Sequence, residues 1–390
     1  MKRIMILHPE GTVNSNPSLT GIVEILCEQG YAVDIYSRRR EFLSQEAPCR
    51  GARIYLTDLM DPMDAAILFA PGVPISEETI SDVERTFHHY DLVIGVDLGI
   101  IEACLVAKII QVPYGLLSYE LIFEEEVGHE QKEPEIIACR DISFAVCQGG
   151  NRSACLAAEN RIPPDKILTI PVAGRSIVAR ERSYALHDPL GIARDKKIAL
   201  YLGSATAKWG GIVELLESAR SWDDSWVLVL HERCGVIPKG FHEHFGARRN
   251  VFYSPFPSLP FNRIQQLINA ADIGIALYTP IRYPGTQTGL NLVHLGMSSG
   301  KIATYLQHDL PIIINEVGEM SEHVRNHSLG RVVSDFSQLG KIMGSIDTNE
   351  LLRLRNSGHR FFQSHLDLDM TIRPLLDCLS KLFSEAPHND

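Results

Sequence analysis

Two loops of small residues carry the strongest chemical signals in the chain. The first runs Gly203-Ser204-Ala205-Thr206-Ala207-Lys208-Trp209-Gly210-Gly211 and leads into an apolar-periodic stretch at 212–219. Small residues let backbone amides approach an anion, and Lys208 adds a positive point charge. A diphosphate would gain from both. The plainer alternative is a glycine-rich turn with a surface lysine. The second loop, Gly296-Met297-Ser298-Ser299-Gly300-Lys301, precedes an expected helix at 302–306. It is not a P-loop: three residues, not four, separate its glycines, and Ile302 stands where the magnesium-binding hydroxyl belongs. Two hydroxyls and amides at a helix N-terminus still favour an anion. Otherwise Ser298 or Ser299 simply caps the helix.

Carboxylates supply the complementary chemistry. Asp97, in Val96-Asp97-Leu98-Gly99, and Glu120 each follow an expected strand, and a carboxylate there can take a proton from a hydroxyl. Asp97 is the first choice as catalytic group and Glu120 the second. Asp97 would serve equally as N-cap of a helix at 100–110. The nearby Glu124-Glu125-Glu126 reads as solvated charge. The loop His8-Pro9-Glu10-Gly11-Thr12 follows the first strand and offers Glu10, Gly11 and Thr12 to a substrate. Arg282 lies in a loop after the strand at 273–277, where it contacts a ligand or merely faces solvent.

The elements that must position these residues alternate. Strands are expected at 4–7, 32–36, 92–96, 113–117, 144–147 and 167–170, with helices at 17–29 and 100–110 among them. The rhythm restarts with strands at 198–202, 226–230, 251–253, 273–277 and 311–314, and helices at 264–271 and 302–306. Such alternation implies α/β units with parallel sheets covered on both faces. The fold class is therefore α/β, with two doubly wound Rossmann-like domains: residues 1–172, a linker at 173–194, and residues 195–365. A helical tail at 366–390 is expected to pack back on the N-terminal domain. A cleft between two such domains receives ligands outside the carboxyl ends of strands.

Composition narrows the classes further. The 390 residues carry a formal charge of −11, with 45% hydrophobic and 22% charged residues. That is too apolar for a disordered chain and too acidic for a general nucleic-acid coat. No apolar run approaches the roughly 18 residues of a membrane helix, and the opening apolar stretch at 4–7 falls short of a secretory core. The eight cysteines form no C-x-x-C pair, as expected of reduced, mostly buried thiols in a cytoplasmic protein.

The stretch Lys301-Ile302-Ala303-Thr304-Tyr305-Leu306-Gln307-His308-Asp309-Leu310-Pro311-Ile312-Ile313-Ile314 resembles the S-x-K-L-x-E-Y-L-x-x-G-x-P-V-I segment of GT-B-fold glycosyltransferases of the glycogen-synthase-like group. Other landmarks fall in order: Tyr90-Asp91-Leu92-Val93-Ile94 looks like a first-domain strand, the 203–211 loop like the donor loop, and Ile273-Gly274-Ile275-Ala276-Leu277 like the strand before a further donor loop. The resemblance implies GT-B architecture and transfer of a sugar from a nucleoside-diphosphate-sugar to an acceptor held by the first domain. It implies a donor site of Gly203, Ser204, Lys208, Ser298, Ser299, Gly300, Lys301 and Thr304, with Lys208 and the Ser299 and Gly300 amides on the diphosphate. It implies no metal and no cofactor beyond the co-substrate. The acceptor would be a saccharide, a lipid-linked saccharide or a small molecule, with peripheral membrane contact open. Three positions depart from the family: Thr304 and Gly296 stand where an E-x7-E pair usually bridges the donor, and Ser204 replaces a common arginine. A threonine can bond one ribose hydroxyl but cannot clamp two. These departures keep two rivals in view, a nucleotide-sugar epimerase of the same fold and a catalytically silent partner protein.

Several tempting patterns carry less. Glu319, His323 and His327 share a helical face but lack a visible fourth ligand. Asp367-Leu368-Asp369 matches a D-x-D motif but lies in the helical tail. Trp209, Trp222 and Trp226 read as packing residues, and Arg38-Arg39-Arg40 as a solvated turn sooner than as a contact for an anionic acceptor or lipid head group.

Overall fold

The computed structural model describes residues 1–39, 46–57, 75–203, 210–232, 249–256, 264–280 and 289–385. Two parallel sheets organise these residues. The first holds β1 (Arg3–His8), β2 (Ala32–Arg38), β3 (Ala52–Thr57), β4 (Leu92–Val96), β5 (Tyr114–Leu117), β6 (Phe144–Cys147) and β7 (Ile167–Thr169), in the order β3-β2-β1-β4-β5-β6-β7. The second holds β8 (Lys197–Gly203), β9 (Trp226–Glu232), β10 (Val251–Tyr253), β11 (Ile273–Ala276), β12 (Ile312–Asn315) and β13 (Gly330–Val333), in the order β10-β9-β8-β11-β12-β13. Both are doubly wound. The strand order reverses between β1 and β4 in one sheet and between β8 and β11 in the other. Each reversal leaves a crevice at the carboxyl ends of the strands.

Sequence patterning explains most elements. β4, β5 and β6 are apolar and buried at every position, as a sheet covered on both faces requires. The helix Pro17–Glu28 starts where Asn16 accepts the Ser18 and Leu19 amides at 3.1 Å, with proline in the first turn. Sequence pattern alone gave no warning of β3 and β13. Both are edge strands: β3 is half exposed, and β13 opens with Gly330 and Arg331, so neither has a continuous apolar run.

Packing at the second reversal has a specific cause. Tyr305, on the helix Gly300–Gln307, is fully buried, and its hydroxyl donates toward Leu200 O (2.9 Å) and Ile275 O (3.3 Å) while accepting Leu202 N–H (2.9 Å). It joins β8 and β11 beyond their last ladder pair, Tyr201 with Ile275. The ring fits because residue 274 is glycine: a Cβ there would lie 2.4 Å from the ring.

The chain crosses between the sheets twice, and the crossings lie together. Leu368 N–H donates to Gly174 O at 3.3 Å, Ser176 N–H to Asp367 at 3.0 Å, and Arg175 bonds both Glu28 and Asp369. Asp367 and Asp369 are thus engaged at this crossing. The helix Thr348–Phe361 buries Phe361 in the core of the second sheet, whereas Leu368, Ile372, Leu375 and Leu379 join the core of the first. Trp222 and Trp226 are buried in the second core, and Trp209 lies outside the described residues. No helix among the described residues is long and apolar enough to cross a membrane.

Candidate active site

The first sheet presents a group of carboxylates around its reversal. After β1 the chain turns through Gly11, whose amide donates to His8 O at 3.3 Å. The buried His8 ring accepts the Thr12 N–H at Nε2 (3.1 Å) and lies 3.2 Å from the Thr12 hydroxyl. A backbone amide can only donate, so the ring proton sits on Nδ1. The bond fixes the loop and leaves Glu10 exposed at its tip.

Asp97 follows β4 in a left-handed conformation (φ 50°) and is 8% exposed. It does not cap the following helix. Gly99–Ile110 is preceded by Leu98 without a side-chain cap. Asp97 Oδ1 instead accepts the amides of Tyr119 (2.6 Å) and Glu120 (2.8 Å), which ties the end of β4 to the loop after β5. Burial, and then the charges of Glu10 and Glu120, push the Asp97 carboxyl well above the usual carboxylate range, against the lowering effect of the two amides. Three carboxylates from three loops therefore share one electrostatic environment.

Glu120 reaches across to the other domain, where the Asn291 amide donates to its Oε2. The same asparagine accepts Leu121 N–H (3.0 Å) and Arg152 Nη1 (2.9 Å) at Oδ1. Lys132 secures the loop from behind: its buried ammonium bonds Ile122 O (2.7 Å) and Glu135 (2.6 Å), and Glu135 in turn accepts from Asn160. Glu126 departs from the expectation of a solvated run, because its carboxylate accepts Leu290 N–H at 2.7 Å.

The second sheet presents cationic and donor groups opposite. Lys301 folds back over the end of β8, so that a Cβ at Gly203 would lie 3.1 Å from its Nζ. The ammonium sits 4.2 Å from the centroid of the Tyr201 ring and 5.5 Å from that of Tyr278. Ser299 caps the helix, accepting Ile302 N–H at 3.1 Å, and its hydroxyl also bonds the Tyr278 hydroxyl. Ser298 donates to Leu295 O (2.6 Å), and Thr304 turns its hydroxyl proton to Gly300 O (2.6 Å) within its own helix. Gly300 packs near Pro17 and Val172 of the first half. Gly296 adopts φ 50°, and a Cβ there would meet Gln148 O at 3.3 Å, so this position serves the close approach of the two halves. Ser204, Lys208 and Arg282 lie outside the described residues.

Tyr278 belongs to the second half and lies within electrostatic reach of Glu120. Asn315, at the end of β12, bonds its amide and carbonyl (2.8 and 2.6 Å) and so extends the sheet by one side chain. Burial raises the Tyr278 phenol to about 12, Ser299 lowers it, and the charge of Glu120 raises it further. Tyr201, Tyr278, Tyr305, Asn291 and Arg152 belong to the site or its supports beyond the residues expected from the sequence. Tyr305 stands in the recognisable Lys301–Leu306 stretch, but the others carry no local signal. Among the described residues no group of three metal-binding side chains forms. His323 and His327 pack on Phe361 and His365 instead.

Two parallel Rossmann-like sheets with their crevices facing each other define the GT-B fold, and the chain adopts it. Residues 296–366 match the family described as "Glucosyltransferase 3-like, C-terminal domain". Solved structures agree over the full length. The Anabaena protein HepE, in complex with UDP and glucose, is similar with a TM-score of 0.71 at 13% identity, over 98% of this chain and 100% of that one. The sucrose-phosphate synthase of Thermosynechococcus elongatus gives 0.66 at 15%, over 99% and 100%. WaaG, a glycosyltransferase involved in lipopolysaccharide biosynthesis, gives 0.65 at 12%, over 96% and 98%. No curated protein matches the sequence itself.

Proposed function

We propose that the protein is a glycosyltransferase that moves a sugar from a nucleoside-diphosphate-sugar to an acceptor held by the first domain. The observation that carries this reading is the opposition of charge across the cleft: the Lys301 ammonium and a helix N-terminus at one strand reversal, and Glu10, Asp97 and Glu120 at the other. The HepE structures hold UDP, UDP with glucose, and UDP-glucose, which favours a uridine donor here.

In the reaction, the bond between the anomeric carbon and the diphosphate oxygen breaks, and a bond from that carbon to an acceptor oxygen forms. Lys208, Lys301 and the amides of Ser299 and Gly300 stabilise the charge that gathers on the departing diphosphate. The family resemblance assigns Ser298, Thr304, Gly203 and Ser204 to the donor; Glu10, Gly11 and Thr12 are assigned to the acceptor, and Arg282 to either. In an inverting transfer the acceptor hydroxyl proton passes to a carboxylate, Asp97 or Glu120; a retaining transfer relies on the donor-side charges more than on a base. A raised pKa makes the ionised carboxylate a stronger base. No cofactor is invoked, and the reaction is placed in the cytoplasm.

A thermal-shift panel of UDP, GDP, ADP, TDP and CMP tests the reading. A diphosphate at 100 times its dissociation constant adds about 2.7 kcal/mol to stability. One nucleoside diphosphate is expected to raise the melting temperature, and CMP is not. A flat response across the panel contradicts the proposal.

A further inference from the structure

Arg152 lies in the first turn of the helix Gly150–Asn160 and is 0% exposed. Carbonyl oxygens from both domains solvate its guanidinium. Nη2 donates to Tyr119 O (2.8 Å) in the first domain, and Nη1 is shared among Asn291 Oδ1 (2.9 Å), Asn291 O (3.3 Å) and His294 O (3.1 Å) in the second. A buried cation needs such partners, and opening the domains would strip most of them away.

Asn291 is the next link. Arg152 and the Leu121 amide are both pure donors and both point at Asn291 Oδ1, so the amide can take only one orientation. That orientation turns its NH2 group to Glu120 Oε2. Glu120 is also held from its own domain, because its N–H goes to Asp97 and the preceding carbonyl to Arg152. Phe123 stacked on His294, with ring centroids 5.6 Å apart, flanks the junction.

We propose that Arg152 and Asn291 are positioning residues that make the aim of the Glu120 carboxylate depend on domain closure. Asn291 reaches Glu120 only when the halves meet, and Arg152 sets both the meeting and the direction of the asparagine. The acceptor-side carboxylate is thereby aligned only over a shut cleft, where the activated donor is protected from water. The inference rests on the glycosyltransferase reading, but the contact itself can be tested without it.

Two variants of the full chain separate positioning from mere structure. Asn291→Asp keeps an oxygen for Leu121 N–H and for Arg152, but it removes the amide donor and sets a negative charge against Glu120. Asn291→Ala removes every side-chain link and leaves only the backbone carbonyl to Arg152. Hydrogen exchange at Leu121, UDP binding by calorimetry, and UDP release from UDP-glucose with water as acceptor are measured for each.

Asn291→Ala is expected to speed Leu121 exchange by about 10-fold, whereas Asn291→Asp leaves it protected. UDP affinity is expected to stay unchanged in both. For Asn291→Asp, UDP release is expected to fall by about 10-fold near pH 8 and to recover as the pH falls, because one shared proton lets one carboxyl donate to the other. Asp97, Glu10, Glu126, Tyr278, His294 and Arg152 are the charged or titratable groups around this contact, so each variant is read against the wild-type profile. Wild-type turnover and profile in Asn291→Asp overturn the inference, as does unchanged Leu121 exchange in Asn291→Ala. If the wild type neither binds UDP nor releases it, the donor reading fails, and Leu121 exchange alone decides the contact.

Discussion

Replacing Asp97 by asparagine removes a charge with almost no change of shape. Asparagine tolerates the left-handed backbone at φ 50° and keeps an oxygen for the Tyr119 and Glu120 amides. Two effects then compete at neutral pH. Hydrogen bonds lose their charge assistance, at a cost of about 1 kcal/mol for each of the two. Against this, repulsion from Glu10 and Glu120 disappears. At an effective dielectric of 20, two like charges one Debye length of about 8 Å apart repel by about 2 kcal/mol, and the exposed Glu10 contributes less than that. Repulsion thus roughly offsets the lost hydrogen bonds, and burial, the largest cause of the shift, decides in favour of the variant by about 2 kcal/mol. The direction of the Asp97 shift agrees, since burial and repulsion outweigh the amides. A carboxyl whose folded pKa is raised contributes stability below its unfolded value, and that contribution is lost as pH rises through the folded value. Urea unfolding of Asp97→Asn should therefore match the wild type near pH 4 and exceed it by about 2 kcal/mol at pH 8. Turnover should fall by about 10² to 10⁴ if Asp97 takes the acceptor proton. A variant that is less stable than the wild type at pH 8 would refute the crowded-carboxylate reasoning.

Other consequences are simpler. Tyr305→Phe leaves the buried Leu202 amide and Leu200 carbonyl without their hydroxyl partner; denaturant unfolding should show a loss of about 2–4 kcal/mol, and UDP affinity should weaken as the end of β8 loosens. Asp34 is a buried carboxylate. Burial raises its pKa, but hydrogen bonds from Arg53, Tyr90 and Arg3 outweigh it and hold the group below its ordinary value. Its stabilising contribution is present above the unfolded pKa of about 3.9 and lost as the pH falls through the lower folded value. Asp34→Asn should thus lower the melting temperature at pH 7 and leave a smaller difference near pH 2, as followed by calorimetric scans.

The fold was legible because both sheets are covered on two faces, which makes β4, β6, β8 and β11 nearly continuous apolar runs. Edge strands β3 and β13 escaped because half of each faces outward. Among site residues, Asp97 and Glu120 were found from their place after strands, and Lys301 and Ser299 from their place at a helix start. What Asp97 does was hidden: its partners are amides of a loop 22 and 23 residues away, joined to it only when β4 and β5 pair. Arg152 and Asn291 were invisible for a stronger reason. They are 139 residues apart and meet only once the two domains close, so neither carries a local pattern. Gly274 and Tyr305 show the same limit, since a ring 31 residues on explains why that strand position is bare.

The donor site is tested most directly by calorimetric titration of UDP into the wild type and into Lys208→Ala and Lys301→Ala. Saturable one-to-one binding is expected for the wild type, weakened about 10-fold or more in each variant, as loss of a charge-assisted contact to a phosphate implies. Wild-type affinity in both variants would contradict a diphosphate held between these lysines and the helix N-terminus at Ser299.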